Sequence, residues 1–387
     1  MKEKSARINV VDSLRGFAIL GILFIHCLER YNIYIPRVET DSVFLTFLNN
    51  ALDSGIMFLM AGKAYAIFAL LFGLSFFIQD NNRLKKGKDF RGRFMWRLVL
   101  LFIWGVIDSI FYTGDVLVMF SIVGGLLALT CRLSDKVVFY IAVFLFLQPV
   151  QWIKIIYCLI NPDYVPVVSE TINYYNLAKD VMLHGNFMDM VKGVWNSQMY
   201  SFTWWINNRA FLVGALFLFG MLLGRKKLFL YTDENIKFWI KTLIIGICCY
   251  FPLTGVFTLI LELVQNKELI RQIHILEVCY TSFAFLCFLI SVFILVYYKT
   301  NFGKVLSKLE PYGKTSLTMY ISQSVLGGFV FYNWGLGWNT LSVTACIGVG
   351  LAIFAIQYTF AWWWLKSHRH GPLEYIWKKA TWVGADK

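Results

Sequence analysis

Arg15 and His26 stand eleven residues apart in the apolar run "DSLRGFAILGILFIHCLER", residues 12–30. At about 100° per residue, eleven steps return to within roughly 20° of the same helix face. At about 1.5 Å of rise per residue the two are separated by roughly 16 Å along that face. A guanidinium grips phosphate or carboxylate in bidentate fashion. An imidazole takes protons near neutral pH, or carries an acyl group transiently. Titratable groups inside lipid are costly, so two on one stripe point to function. Asp12 lies three residues before Arg15 and Glu29 three after His26, the spacing at which helical side chains meet. Gly16 and Gly21 thin the helix between them, so that backbone or ligand can come close. A plainer role stays open: Arg15 reaching the headgroups, and His26 filling a polar gap between helices.

Other chemistry-bearing residues fall at the ends of apolar runs. Asp108 and Asp115 flank the tip "TGD". With Glu29 and Lys63 they are expected to neutralise one another around His26, a carboxylate orienting its ring, or else to close the bundle mouth as a structural ion-pair cluster. Arg91, Arg93 and Arg97 sit at the opposite mouth. Arg93 and Arg97, at i,i+4, are expected to join Arg15 on the phosphates of a nucleotide-bearing donor, unless they only set topology. Ser316, Tyr320 and Gln323 make a polar stripe at i, i+4 and i+7, suited to lining a donor tunnel or to interhelical hydrogen bonding. Arg209, in "NNRAFL", is placed to meet an acidic or sugar acceptor, or to anchor at the interface. His184 and His274 fall in external segments with no assigned role, and His368 and His370 in the C-terminal tail.

Apolar elements must position all of these. The chain has 387 residues, 58% hydrophobic, 18% aromatic and 15% charged, with mean hydropathy +0.61. A soluble domain carries about a quarter charged residues. Apolar runs of bilayer length recur near 10–28, 56–79, 94–113, 115–131, 136–160, 208–224, 237–262, 274–298, 315–332 and 340–365. The expected fold is an all-α polytopic membrane bundle of about ten helices, with no room for a separate soluble domain. Lys2, Lys4 and Arg7 precede the first run, and an uncleaved first helix is expected rather than a signal peptide. Arg83, Lys85, Lys86, Lys88, Arg91 and Arg93 follow the second run. Arg132 and Lys136, Arg225 to Lys227, Lys299, Lys304 and Lys308, then Lys366, Arg369, Lys378 and Lys379 fall on the same side. The positive-inside rule therefore puts both termini in the cytoplasm. The net charge of +13 belongs to those loops, which excludes a nucleic-acid partner. The eight cysteines show neither metal spacing nor a secreted disulfide framework. Loop 161–207, with "NPDYVP" and "MYSFTWWINNR", should lie outside, part of it as an interfacial helix with Trp204 and Trp205 at headgroup level.

Longer stretches carry a resemblance. Arg15 and His26 are similar to the R-x10-H motif of the acyltransferase-3 family. The chain as a whole resembles the YeiB-like family more closely. The stretches that carry this are "VDSLRGFAILGILF", "GKAYAIFALLFGLSFF" (62–77), "RFMWRLVLLFIWGVIDSIFYTGDVL" (93–117), "GALFLFGMLLGR" (214–225), "GKTSLTMYISQSVLG" (313–327) and "HGPLEYIWKKAT" (370–381). That family is grouped with transmembrane acyltransferases, which resemble the lysosomal heparan-glucosaminide acetyltransferase in their core. The resemblance implies acyl-CoA as cytoplasmic donor and an acceptor reached from the other side. YeiB-like proteins usually carry Asn where this chain has His26, and His where it has Asp108.

The function expected is transfer of an acyl group, acetyl first, from acyl-CoA to a hydroxyl or amine of an envelope glycan or lipid, in a bacterial inner membrane and without a metal. His26, Asp108, Asp115 and Glu29 form the expected catalytic set. Asp12, Arg15, Lys63, Arg93, Arg97, Arg209, Tyr320 and Gln323 form the expected substrate-binding set. Membrane lipid and a second copy of the chain complete the expected partners. A transporter or flippase with the stripe as permeation path is the alternative, and a scaffold or sensor without chemistry a third reading.

Overall fold

The computed structural model describes residues 8–37, 41–164 and 170–384, and every regular element among them is helical. Lys2, Lys4 and Arg7, and the Val-Pro that ends "NPDYVP", lie outside the described residues. The helices are α1 (Asn9–Leu28), α2 (Val43–Met60), α3 (Ala64–Leu84), α4 (Arg91–Asp108), α5 (Leu117–Val123) and α6 (Gly125–Thr130). Next come α7 (Asp135–Phe146), α8 (Pro149–Ile160), α9 (Glu170–His184), α10 (Phe187–Asn208), α11 (Ala210–Arg225) and α12 (Asp233–Leu263). The chain ends with α13 (Lys267–Lys299), α14 (Gly303–Leu306), α15 (Glu310–Lys314), α16 (Ser316–Phe331), α17 (Val343–Trp364) and α18 (Pro372–Thr381). Polar residues start the apolar runs as N-caps: Ser134, Thr232, Asn266 and Ser342 each accept from the backbone N–H three residues on.

Among the described residues, six helical segments are long and apolar enough to cross a bilayer: α1, α2–α3, α7–α8, α12, α13 and α17. A seventh arises if α10 and α11, bent by 72° at Arg209, count as one. Of the other runs in the sequence, 115–131 and 315–332 become the shorter helices α5–α6 and α16. The run 94–113 becomes α4, whose first two turns carry Arg91, Arg93 and Arg97. The expected span 56–79 straddles a break, because α2 stops at Met60 and Gly62 takes φ +74°. A Cβ at Gly62 would also sit 3.0 Å from Ser282 Oγ.

α1 runs through the centre of the bundle, packed against α3, α15, α16 and α17. Its glycine serves that packing: a Cβ on Gly16 would strike the Leu309 carbonyl, and one on Gly313 the Asp12 carbonyl. α3 and α11 meet backbone to backbone, with Gly73 under the Phe217 carbonyl and Gly220 under that of Leu70. Small residues are what such close crossings require in membranes. Gly220→Ala is therefore expected to destabilise the protein by about 3 kcal/mol or more. Gly348→Ala, inside α17 with nothing within 4 Å of the added Cβ, should leave stability unchanged or raise it by up to about 1 kcal/mol. Thermal unfolding in detergent compares the two.

The basic loops converge at one end of the bundle. Arg132 bonds Asp80 at 2.6 and 3.0 Å and Asp89 at 3.2 Å. Arg225 reaches Asp135 and the Leu133 and Cys131 carbonyls, and Tyr298 donates to the Phe229 carbonyl. The opposite end is tied by Asn32 to Thr113, Tyr175 to the Asn32 carbonyl, Asn333 to the His184 carbonyl and Thr344 to Asn49. The 161–207 region differs from the expected loop, since it holds α9 and α10, packed on each other. Trp205 is not at a lipid surface but buried against Tyr65, ring centroids 5.0 Å apart.

Candidate functional site

A cavity of about 610 Å³ opens among the basic loops. Its mouth is lined by Arg15, Arg83, Lys86, Arg97, Lys314 and Lys378. Its walls are aromatic: Phe72, Phe76, Phe94, Phe120, Trp377 and Trp382. Two guanidiniums lie flat on indoles, Arg97 at 3.6 Å from the Trp377 centroid and Arg83 at 3.7 Å from that of Trp382. Such stacking desolvates one face of the cation and leaves its N–H fork free to meet an anion. α18 carries Trp377, and Trp382 follows directly as its C-cap. Its Glu374 carboxylate accepts from the Leu317 and Thr318 N–H groups at 2.6 and 3.1 Å and from Thr318 Oγ1 at 2.6 Å. That ties α18 to the start of α16, where a carboxylate meets the unsatisfied N–H groups of a helix. Arg15 donates to Asp12 at 2.8 Å, as their spacing predicts, and to Ser75 at 2.6 Å.

α16 runs from the cavity floor toward the other end. Ser316 and Leu317 line the cavity. One turn on, Tyr320 donates to Asp115 Oδ1 at 3.4 Å. Asp115 caps α5, accepting from the N–H groups of Leu117 and Val118 at 3.0 and 3.1 Å. Leu117 itself lines the cavity, so this carboxylate stands directly behind the floor. Asp115 and Asp108 face each other, both fully buried, and Ser324 donates to Asp108 Oδ2 at 3.2 Å. Asp108 Oδ1 and both side-chain amide atoms of Gln323 are buried without a hydrogen-bond partner. Unsatisfied buried polar atoms cost about 1–3 kcal/mol each, which makes this a place for a polar ligand or water.

His26 lies beyond, near the far end of α1. Its ring packs on Tyr112 at 4.2 Å and against Tyr31 at 5.6 Å, and its Nδ1 is buried without a partner. The backbone that delivers Tyr31 is left-handed over three non-glycine residues, with φ +49° at Arg30, +54° at Tyr31 and +74° at Asn32. Each costs on the order of 1–2 kcal/mol. Surrounding bonds hold the turn: Tyr332 to the Tyr31 carbonyl at 2.7 Å, and Arg30 to the Asn339 and Ile35 carbonyls. Gly327 leaves the space that the Tyr31 ring occupies.

The expected charge cluster around His26 does not form. Glu29 bonds Tyr34 instead, and burial pushes its carboxyl up to about 7. Lys63 donates to the Phe58 carbonyl at 2.9 Å and lies 5.7 and 5.3 Å from the Phe58 and Phe285 ring centroids. The break at Gly62 directs it to α13. Asp108 bonds Ser324, and Asp115 bonds Tyr320 and the N–H groups of Leu117 and Val118, rather than the imidazole. Arg93 and Arg97 also part company: Arg93 sits one turn nearer the helix start, outside the cavity lining, and donates to the Val383 carbonyl at 3.1 Å. Arg209 is turned in at the α10–α11 bend, on the Asn208 carbonyl, Cys279 Sγ and Tyr65. His370 lines the cavity and contacts Lys378 at 2.9 Å, His368 stacks on Trp364, and His274 pairs with Glu277.

Sequence reasoning missed Ser75, Gln79, Arg83, Lys86, Lys314, Trp377 and Trp382 as cavity residues, and Tyr31 and Tyr112 as the clasp on His26. The i,i+4 spacings Glu374/Lys378 and Tyr375/Lys379 in "PLEYIWKKAT" were the available signal for α18.

Residues 223–384 match the family described as "Protein of unknown function (DUF418)". The chain is similar to "Uncharacterized protein YxaH" of Bacillus subtilis (strain 168), 26% identical over 408 residues, spanning 97% of this chain and 94% of the relative. It is also similar to the "Uncharacterized 39.9 kDa protein in amylase 3'region" of Bacillus acidopullulyticus, 24% identical over 392 residues, with the same two shares, 97% and 94%. Long apolar helices and these relatives together describe a helical membrane protein similar to bacterial proteins over nearly its whole length, with a C-terminal part that matches a family of unknown function.

Proposed function

We propose that the chain is an acyl-CoA-dependent acyltransferase of a bacterial inner membrane, with ten spans and both termini in the cytoplasm. The ten would be α1, α2–α3, α4, α5–α6, α7–α8, α10–α11, α12, α13, α16 and α17. The observation that carries the reading is the basic, aromatic-walled cavity whose floor backs onto the Asp115–Asp108–Tyr320 cluster. Phosphates at Arg15, Arg97 and Lys86 leave the thioester directed along α16. An acceptor hydroxyl or amine, from an envelope glycan or lipid, enters from the other end. His26 takes its proton, the acceptor oxygen or nitrogen bonds the acyl carbon, and the carbon–sulfur bond breaks to release the CoA thiolate. The clasp of Tyr31 and Tyr112 leaves Nδ1 unpaired for that proton.

The test is release of CoA thiol, and of labelled acetyl product, from [14C]acetyl-CoA by purified protein in nanodiscs given an envelope extract. Turnover that requires both protein and extract is expected. The 72° break between α10 and α11 favours a second reading, since discontinuous helices line transport sites. Acetyl-CoA left intact while a labelled substrate crosses proteoliposomes would decide for the transporter.

A further inference from the structure

α12 packs chiefly on α13 and α7 chiefly on α11, so the two helix pairs enclose a cleft between them. It is a cavity of about 570 Å³ that shares no lining residue with the candidate site. Phe139 of α7, Phe219 of α11, Phe238 of α12, and Phe283 and Leu286 of α13 make its walls. Its one charged end carries Asp135, Lys136 and Lys226. Asp135 is already paired with Arg225 at 2.7 Å, and Arg225 is spent on the Leu133 and Cys131 carbonyls as well. Neither Lys136 nor Lys226 makes an ion pair among the described residues, and both are exposed. The indole of Trp239 is occupied by the Leu228 carbonyl at 2.8 Å. What the cleft offers is therefore an apolar slot topped by two uncompensated ammonium groups.

We propose that this cleft is a binding site for one anionic glycerophospholipid of the leaflet on the basic side. Its acyl chain lies in the aromatic slot and its phosphate between Lys136 and Lys226. Apolar matching alone would not select it, because bilayer tails are as apolar as the slot. Selection comes from the charge at the mouth, as for basic clusters beside anionic headgroups. The bare lipid side of α12, with Ile244 53% and Ile245 61% exposed, lets a lipid enter sideways from the bilayer. The proposal stands apart from acyl transfer and survives its failure.

The test is native mass spectrometry of the full-length protein released from nanodiscs of equal phosphatidylglycerol and phosphatidylcholine with matched chains. The wild-type protein is expected to keep phosphatidylglycerol over phosphatidylcholine by about fivefold or more. Lys136→Gln with Lys226→Gln should abolish that preference; both side chains are exposed, so packing is untouched. Thr242→Phe, which fills the slot from α12, should lower retention of both lipids. Equal retention by the wild-type protein, a preference intact in the double variant, or full retention in Thr242→Phe would each overturn the proposal.

Discussion

His26→Ala is expected to lower acyl transfer by about a hundredfold or more, the scale of one positioned acid–base group. The protein should still fold, because the residue makes no buried hydrogen bond through Nδ1 and its removal leaves the strained turn at Arg30–Asn32 held by Tyr332 and Arg30. The loss should fall on kcat. The KM for acyl-CoA should stay within a few-fold, since helix geometry puts His26 roughly 16 Å from Arg15. Tyr112→Phe keeps the ring that packs on His26 at 4.2 Å and is expected to retain most activity. His26→Asn should be as inactive as the alanine variant, because an amide cannot take the proton. Full activity in His26→Ala would make His26 a packing residue and move proton handling to Asp108 and Asp115, whose carboxyl groups face each other behind the cavity floor.

Arg97→Gln and Arg15→Lys are expected to weaken CoA binding by about tenfold or more each, the range for a lost charge-assisted contact. Arg15→Lys keeps a cation beside Asp12, whose side chain is 3% exposed, and so avoids stranding a buried carboxylate. It loses the fork that bonds Asp12 and Ser75 at once. Arg97→Gln removes the cation stacked on Trp377. Arg93→Ala is the internal control, because that guanidinium binds the Val383 carbonyl outside the cavity. The measurement is the rise in unfolding temperature with CoA, which follows mass action. The rise should shrink with added salt in the wild-type protein. An unchanged response in Arg97→Gln and Arg15→Lys would reduce the cavity's charges to topology signals.

Much of the architecture is written locally. Apolar runs of bilayer length specify helices, and polar residues such as Ser134, Thr232 and Ser342 start them, because hydropathy and capping act within a few residues. The Asp12–Arg15 contact follows from i,i+3 spacing alone. The placing of Arg15 and His26 on one stripe follows from the helical repeat. The grouping of basic loops at one end follows from charge counting, and the contacts of Arg132, Arg225 and Tyr298 agree with it.

Which side chains meet across helices is another matter. Charge complementarity pairs Lys63 with Glu29, Asp108 and Asp115 around His26, yet next to Gly62 in a left-handed conformation it meets Phe58 and Phe285. Arg93 and Arg97 share a helix face, yet α18 packs so that only Arg97 enters the cavity. Trp205 has the residue type of an interfacial anchor, yet it is buried against Tyr65 of α3, just before the 72° bend at Arg209. Charges and aromatics do not encode their partners in their own spacing. The partner is chosen by breaks, bends and glycine-thinned crossings that bring together segments as far apart as Arg15, Arg97 and Trp377, and only the folded chain contains that information.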